Sequence, residues 1–195
     1  MKAWFVAGAL LVATVAPAHA AVPVQLPPGS IKHQNSQFWS WFGPANWTSA
    51  DSAYGITITS GNGRLSLDYG SSSVICSASD SAEASARQHF AEQRQALRQN
   101  LRQAWRRSAM RRSAIRQLPE AQYGPLYFRQ SLTISGRSDG RGYGGEVVLD
   151  YSLASGPTYC FSRKQSRIAP AAGLNRSLRQ LRSVQASIAY FGPGV

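Results

Sequence analysis

Between Asp80 and Leu118 apolar residues recur at helical spacing, whereas on both sides of that stretch they alternate with polar residues at every second position. That layout calls for helices laid on a sheet, because each alternating strand offers one apolar face that needs a cover. Upstream, Ile56 and Ile58 alternate with Thr57 and Thr59, and Leu65, Leu67 and Tyr69 alternate with Ser66 and Asp68. Ser60-Gly61-Asn62-Gly63 between them predicts a hairpin turn, since glycine and asparagine tolerate positive φ. A short third strand, Val74 to Ser77, carries Cys76.

Downstream, Phe128, Leu132 and Ile134 share one face of a strand, and Val147, Leu149, Tyr151 and Leu153 share one face of the next. A third, Thr158 to Arg167, carries Cys160, and Leu174 to Tyr190 reads as a closing helix. The expected fold class is α+β: an antiparallel sheet of about six strands, in two βββα halves, packed against one long and one shorter helix. In both halves a cysteine lies in the third strand, so an approximate twofold would join equivalent strands through a disulfide. In element order the region from about Trp47 to Phe191 resembles the PsbP and Mog1-like α+β domains. The resemblance implies that fold and no function.

The long helix is expected to start near Asp80 and Glu83, in a near capping box, and to bury Phe90, Leu97, Leu101, Ala104 and Ile115 on one side of the wheel. Arg111 falls on that apolar side and Arg112 near its edge, which predicts a bend, fraying or a second short helix around Arg107 to Ser113. Arg87, Arg94, Arg98, Arg102, Arg106, Arg107, Arg111, Arg112 and Arg116 all lie in this stretch, against Asp80, Glu83 and Glu92. Five like-charged i,i+4 pairs would cost on the order of 1 to 2.5 kcal/mol, which an anionic partner would relieve.

The chain carries 21 Lys and Arg against 9 Asp and Glu, a formal net charge of +12. Such a balance favours anionic partners without specifying one. Lys2, the apolar run from Ala3 to Val15 and Ala18-His19-Ala20 have the form of a signal peptide cleaved after Ala20, predicting a secreted or periplasmic product. The expected organisation is therefore a signal peptide over 1–20, an extended proline-rich lead-in over 21–37 and a single α+β domain over 38–195. In an oxidising compartment Cys76 and Cys160 are expected to pair, stabilising by about 4.5 kcal/mol on loop-entropy grounds. No later segment has the length and apolarity of a membrane helix.

Trp39, Trp41 and Trp47 form an aromatic cluster with Phe38 and Phe42. Exposed, it would stack on sugars or bases; buried, it would cover one end of the core. Gly140-Arg141-Gly142-Tyr143-Gly144-Gly145 matches the dinucleotide pattern but precedes a strand where a helix is required, so Arg137 to Gly145 reads as a hairpin loop. Asp68, Asp150, Glu146 and His89 are the candidate acids and bases, but no motif makes them convergent, and the acids are expected to pair with helix arginines instead. No metal or cofactor site is indicated, and no enzyme is expected.

The function expected from these observations is that of an exported basic binding or accessory protein. It would dock an anionic polymer or an acidic protein through the arginine face of Arg94, Arg98, Arg102, Arg106, Arg107, Arg111, Arg112 and Arg116. The alternative is a secreted nucleic-acid-binding protein, or one active at an anionic membrane surface.

Overall fold

The computed structural model describes residues 25–34, 38–75, 81–119, 126–153 and 159–191 of the chain. The expected signal peptide and Cys76 lie outside the described residues. Elements run β1 (Ser30–His33), β2 (Trp39–Pro44), β3 (Thr48–Ser52), β4 (Gly55–Thr59), β5 (Ser66–Ile75), α1 (Ala82–Ala104), β6 (Arg106–Arg112) and β7 (Arg116–Gln117). They continue with β8 (Tyr127–Ser138), β9 (Arg141–Leu153), β10 (Tyr159–Pro170), α2 (Leu174–Ala186) and β11 (Ala189–Tyr190). An eight-stranded sheet has the order β3-β4-β5-β10-β9-β8-β6, with β7 also on β8, and a separate three-stranded sheet has the order β1-β2-β11.

The α+β class holds, with two helices on antiparallel sheet, but the strands outnumber the expected six. Each extra strand lacks the alternation that would have revealed it. β3 is an edge strand of Thr-Ser-Ala-Asp-Ser, largely exposed. β1 lies inside the proline-rich lead-in, which is therefore not wholly extended linker, and it pairs with β2 from Ser30↔Pro44 to His33↔Trp41. The expected short strand from Val74 is instead the end of a continuous β5. The closing helix stops at Ala186, where the Ser187 hydroxyl donates to the Val184 carbonyl at 2.6 Å and accepts from the Phe42 amide at 2.9 Å, and Ala189 and Tyr190 then pair with β2.

The hairpin turns follow their residues. Gly63 has φ 68°, and the Ser60 amide donates to the Leu65 carbonyl at 2.9 Å. Asp139 and Gly140, at φ 50° and 76°, form a two-residue turn between β8 and β9. The expected long loop over 137–145 is thus confined to those two residues, and Gly144 and Gly145 are buried strand positions. A side chain at Gly145 would put Cβ 2.3 Å from the Arg167 carbonyl oxygen of β10.

Strand register divides the core between the two faces of the large sheet. Phe128, Leu132 and Ile134 of β8 and Val147, Leu149 and Tyr151 of β9 face α1, which contributes Ala86, Phe90 and Leu101. Ile56, Ile58, Leu67 and Ala169 project from the other face against Leu178, Leu181 and Val184 of α2 and against Trp39, Trp41 and Trp47. The expectation of two βββα halves is met in count only with the unexpected β3 as a first strand, since the Val74 strand belongs to β5; the third strands so defined, β5 and β10, pair directly. It fails for the helices, which lie on opposite faces, whereas a twofold relating antiparallel strands would keep them on one.

The α2 face also carries two ion networks. Asp150, 1% exposed, accepts from Arg129 Nε at 2.6 Å and from Arg163 Nε at 3.2 Å, while Arg163 donates to the Tyr127 hydroxyl at 2.5 Å. Glu146 accepts from Arg167 at 2.7 Å and, through both oxygens, from Arg182 of α2 at 2.8 and 2.7 Å. Asp150→Asn should cost about 3 kcal/mol in urea unfolding, because it leaves two guanidinium groups around a neutral amide.

Burial pushes the Glu146 carboxyl up, but the Arg182 hydrogen bond and the charges of Arg167 and Arg182 outweigh burial and hold it below the usual range. Such a group stabilises the fold above the ordinary carboxylate pKa of about 4.3 and loses that contribution as pH falls through its lower folded value. Thermal scans should show Glu146→Gln less stable than wild type at pH 7, with the gap closing in acid below about pH 4.3.

Candidate anion-binding groove

The helix that was expected to reach Leu118 ends at Ala104. It begins at Ser81, whose hydroxyl accepts from the Ala84 amide at 3.2 Å. At its end Trp105 takes extended dihedrals, φ −130° and ψ 133°, while its amide still donates to the Leu101 carbonyl. The indole lies on Gly136 of β8, where a Cβ would come within 2.6 Å of Trp105 Cε3, and it stacks on Tyr143 at 6.1 Å. The chain reverses there with no intervening loop, and β6 runs back beside α1 while pairing with β8. A bulge at Arg107, φ 52°, absorbs the register shift between Arg106 and Ala109. The break in the apolar stripe at Arg111 thus marks a strand and not a bend or a second helix.

This reversal makes a groove between α1 and β6. Its inner end, about 420 Å³, is lined by Arg87, Arg94, Arg112, Ser113, Ile115 and Gln130, among others. Nearer Trp105 a smaller depression of about 120 Å³ is lined by Arg98, Leu101, Arg102, Ser108 and Met110. Of the eight arginines expected to form one helical face, Arg94, Arg98, Arg102 and Arg112 meet in this groove. Arg112 reaches it because it pairs with Leu132, whose side chain faces α1.

The other four are placed elsewhere. Arg111 pairs with Thr133 and Arg116 with Arg129, which sets both on the opposite face of the sheet, and Arg106 pairs with Arg137. Arg107 occupies the bulge. Only Arg94 with Arg98 and Arg98 with Arg102 remain as like-charged i,i+4 neighbours within the helix, so that repulsion falls to about 0.4 to 1 kcal/mol.

The acids do not neutralise this groove. They were expected to pair with helix arginines, but Asp150 and Glu146 serve Arg129, Arg163, Arg167 and Arg182 across the sheet. Asp68 accepts from the hydroxyls of Thr57 at 2.8 Å and Ser166 at 2.6 Å. Among the described residues the helix arginines have one carboxylate, Glu83, which pairs with Arg87 at 2.5 Å. Arg94 instead donates to Gln130 Oε1 at 2.5 Å. Gln130, 3% exposed, donates in turn to the Ser113 carbonyl at 2.9 Å. Partial burial, then the nearby charges of Arg112 and Arg98, depress the Arg94 pKa.

The remaining expected site residues do not converge. Trp39, Trp41 and Trp47 are buried, so the cluster is core and not a stacking surface. Two of their indoles are satisfied inside: Trp39 Nε1 donates to the Ser52 carbonyl at 2.6 Å, and Trp41 Nε1 to the Ser49 hydroxyl at 3.2 Å. Asp68 and Asp150 lie on opposite faces of the sheet. A pairing the sequence did not suggest is His89 Nε2 with Ser162 Oγ at 2.6 Å. Burial depresses the His89 pKa against the opposing charge of Glu92, and Ser162 is 6% exposed beneath α1, so the contact docks the helix on β10. Cys160 is buried in the α1-side core and accepts from the Tyr151 hydroxyl at 2.7 Å.

A larger cleft of about 610 Å³ lies between residues 25–28 and α2, lined in part by Arg176, Arg179 and Arg182. Arg182 is neutralised there by Glu146. Among the described residues no cluster of His, Cys, Asp or Glu is suited to hold a metal, and no helix is long and apolar enough to cross a membrane.

No family model matches the chain, and no curated protein matches it. A solved structure similar in outline is that of LpqN, described as involved in cell envelope biogenesis of Mycobacterium tuberculosis. It aligns at a TM-score of 0.46 and 9% identity over 84% of this chain and 91% of LpqN, which is too distant to bear on function.

Proposed function

We propose that this chain is an exported basic binding protein that docks an anionic polymer or an acidic protein along the α1–β6 groove. The observation that supports this reading is the allotment of charge: Arg94, Arg98 and Arg102 of α1 and Arg112 of β6 line one concave seam, and among the described residues none of the four has a carboxylate partner. Concave walls of one sign concentrate counter-charged ligands more strongly than a flat surface does. The alternative, a nucleic-acid or membrane-active protein, loses its aromatic platform because the three tryptophans are buried.

Arg98→Glu/Arg102→Glu should weaken binding of dextran sulfate and of poly-glutamate about tenfold and flatten its salt dependence. The control Arg64→Glu/Lys32→Glu carries the same charge change on two exposed positions away from the groove, the β4–β5 turn and β1 of the small sheet, and should have little effect. Equal losses in both variants would reduce the groove to net charge alone.

Export also implies that Cys76 and Cys160 are paired, as compartment and fold order suggest. Peptide mapping of the secreted protein without reductant should yield one linked peptide containing both cysteines. Quantitative alkylation of both thiols in the native secreted protein would rule the bridge out.

A further inference from the structure

We infer that the inner end of the groove is a discrete site for one dianionic phosphoryl group, held between Arg94 on α1 and Arg112 on β6. The inference rests on the groove reading above and names its ligand chemistry. Three features separate this end from the rest of the seam. First, Arg94 is oriented: Gln130 is buried, is anchored on the Ser113 carbonyl, and fixes one guanidinium nitrogen of Arg94, leaving the others for a ligand. Arg98 and Arg102, further along the same helix, have no such side-chain anchor among the described residues. A polyanion attracted by field alone needs no oriented guanidinium, whereas a single oxyanion recognised by its geometry does.

Second, of the three arginines lining the depression Arg87 is engaged by Glu83, and the other two come from opposite walls, Arg94 from the helix and Arg112 from the edge strand. Two converging guanidiniums need more than two acceptor oxygens and about two negative charges. A carboxylate supplies one charge and two oxygens; a phosphate monoester near neutral pH supplies about 1.5 to 2 charges and three terminal oxygens. Third, Ile115 and Ala114 line the same depression, and its volume of about 420 Å³ leaves room beyond the phosphoryl group for a small organic substituent.

The test is calorimetry on the secreted chain in phosphate-free chloride buffer, with orthophosphate, glycerol 3-phosphate, dimethyl phosphate and acetate as probes. Orthophosphate or glycerol 3-phosphate should bind at least tenfold more tightly than dimethyl phosphate or acetate. Tighter orthophosphate assigns the site to free phosphate and tighter glycerol 3-phosphate to an ester; both support a phosphoryl site. Arg94→Lys and Arg112→Lys keep the charge but lose the fork, and each should weaken the phosphoryl probe at least tenfold while dextran sulfate binding changes less than twofold. Gln130→Leu should mimic Arg94→Lys, and because it also removes a buried anchor of the Ser113 carbonyl, the two lysine variants decide the matter. Equal binding of monoester and diester, or full affinity in the lysine variants, would overturn the discrete site and leave the polyanion groove standing. The groove itself fails if Arg98→Glu/Arg102→Glu leaves dextran sulfate binding unchanged or weakens it no more than the control pair does, so the two failures are told apart.

Discussion

The antiparallel pairing of β5 with β10 is what the rest of the molecule depends on. Its register runs unbroken from Ser66↔Ile168 to Ile75↔Tyr159 and joins two meanders that would otherwise be separate small sheets. Small isolated sheets are marginal in water, while one wide sheet offers two apolar patches, each large enough for a helix. Each helix follows the third strand of its meander, and each goes to a different face. α1 takes the patch on β8 and β9, and α2 with the small sheet takes the patch on β4, β5 and β10. The groove exists because β6 then returns beside α1 to complete the sheet edge.

Scarcity of carboxylates decides where positive charge is tolerated. Asp150 and Glu146 each engage two arginines on the α2 face, where the guanidinium groups of Arg163 and Arg167 would otherwise sit against the sheet with little water. Partly buried cations need partners far more than exposed ones do. Once the α2 face has taken these acids, Arg94, Arg98, Arg102 and Arg112 in the seam between α1 and β6 are left with no carboxylate partner among the described residues. Its charge is therefore a consequence of core requirements on the other side of the sheet as much as of its own composition.

The central strands and the body of α1 were legible because burial on one face writes a period into the chain: two for β4, β8 and β9, and 3.6 for Phe90, Leu97 and Leu101. Edge elements carry no such record. Thr48 to Ser52 is polar but for Ala50, and Ser30 to His33 follows prolines that suggest linker. The end of α1 was misplaced because arginine suits a helix as well as a strand surface, and because what stops the helix is distant: Trp105 needs the bare backbone of Gly136, some thirty residues on. The arginine groove was half legible. The helical arginines could be read from their spacing, but Arg112 joins them only through a pairing with Leu132 that no local pattern announces.

β6 ends the sheet order, so among the described residues one side of its backbone has no strand partner. Open edges are templates for intermolecular strand addition, and charged side chains and bulges are common means of blocking them. Here the blocking charges include Arg106, Arg107, Arg111 and Arg112, all on β6. Two copies pairing antiparallel edge to edge would oppose arginine to arginine at both ends of the strand. The guard is electrostatic, so a ligand that neutralises these side chains also lowers the barrier to self-association. Solubility and anion loading are thereby tied to the same short stretch of chain.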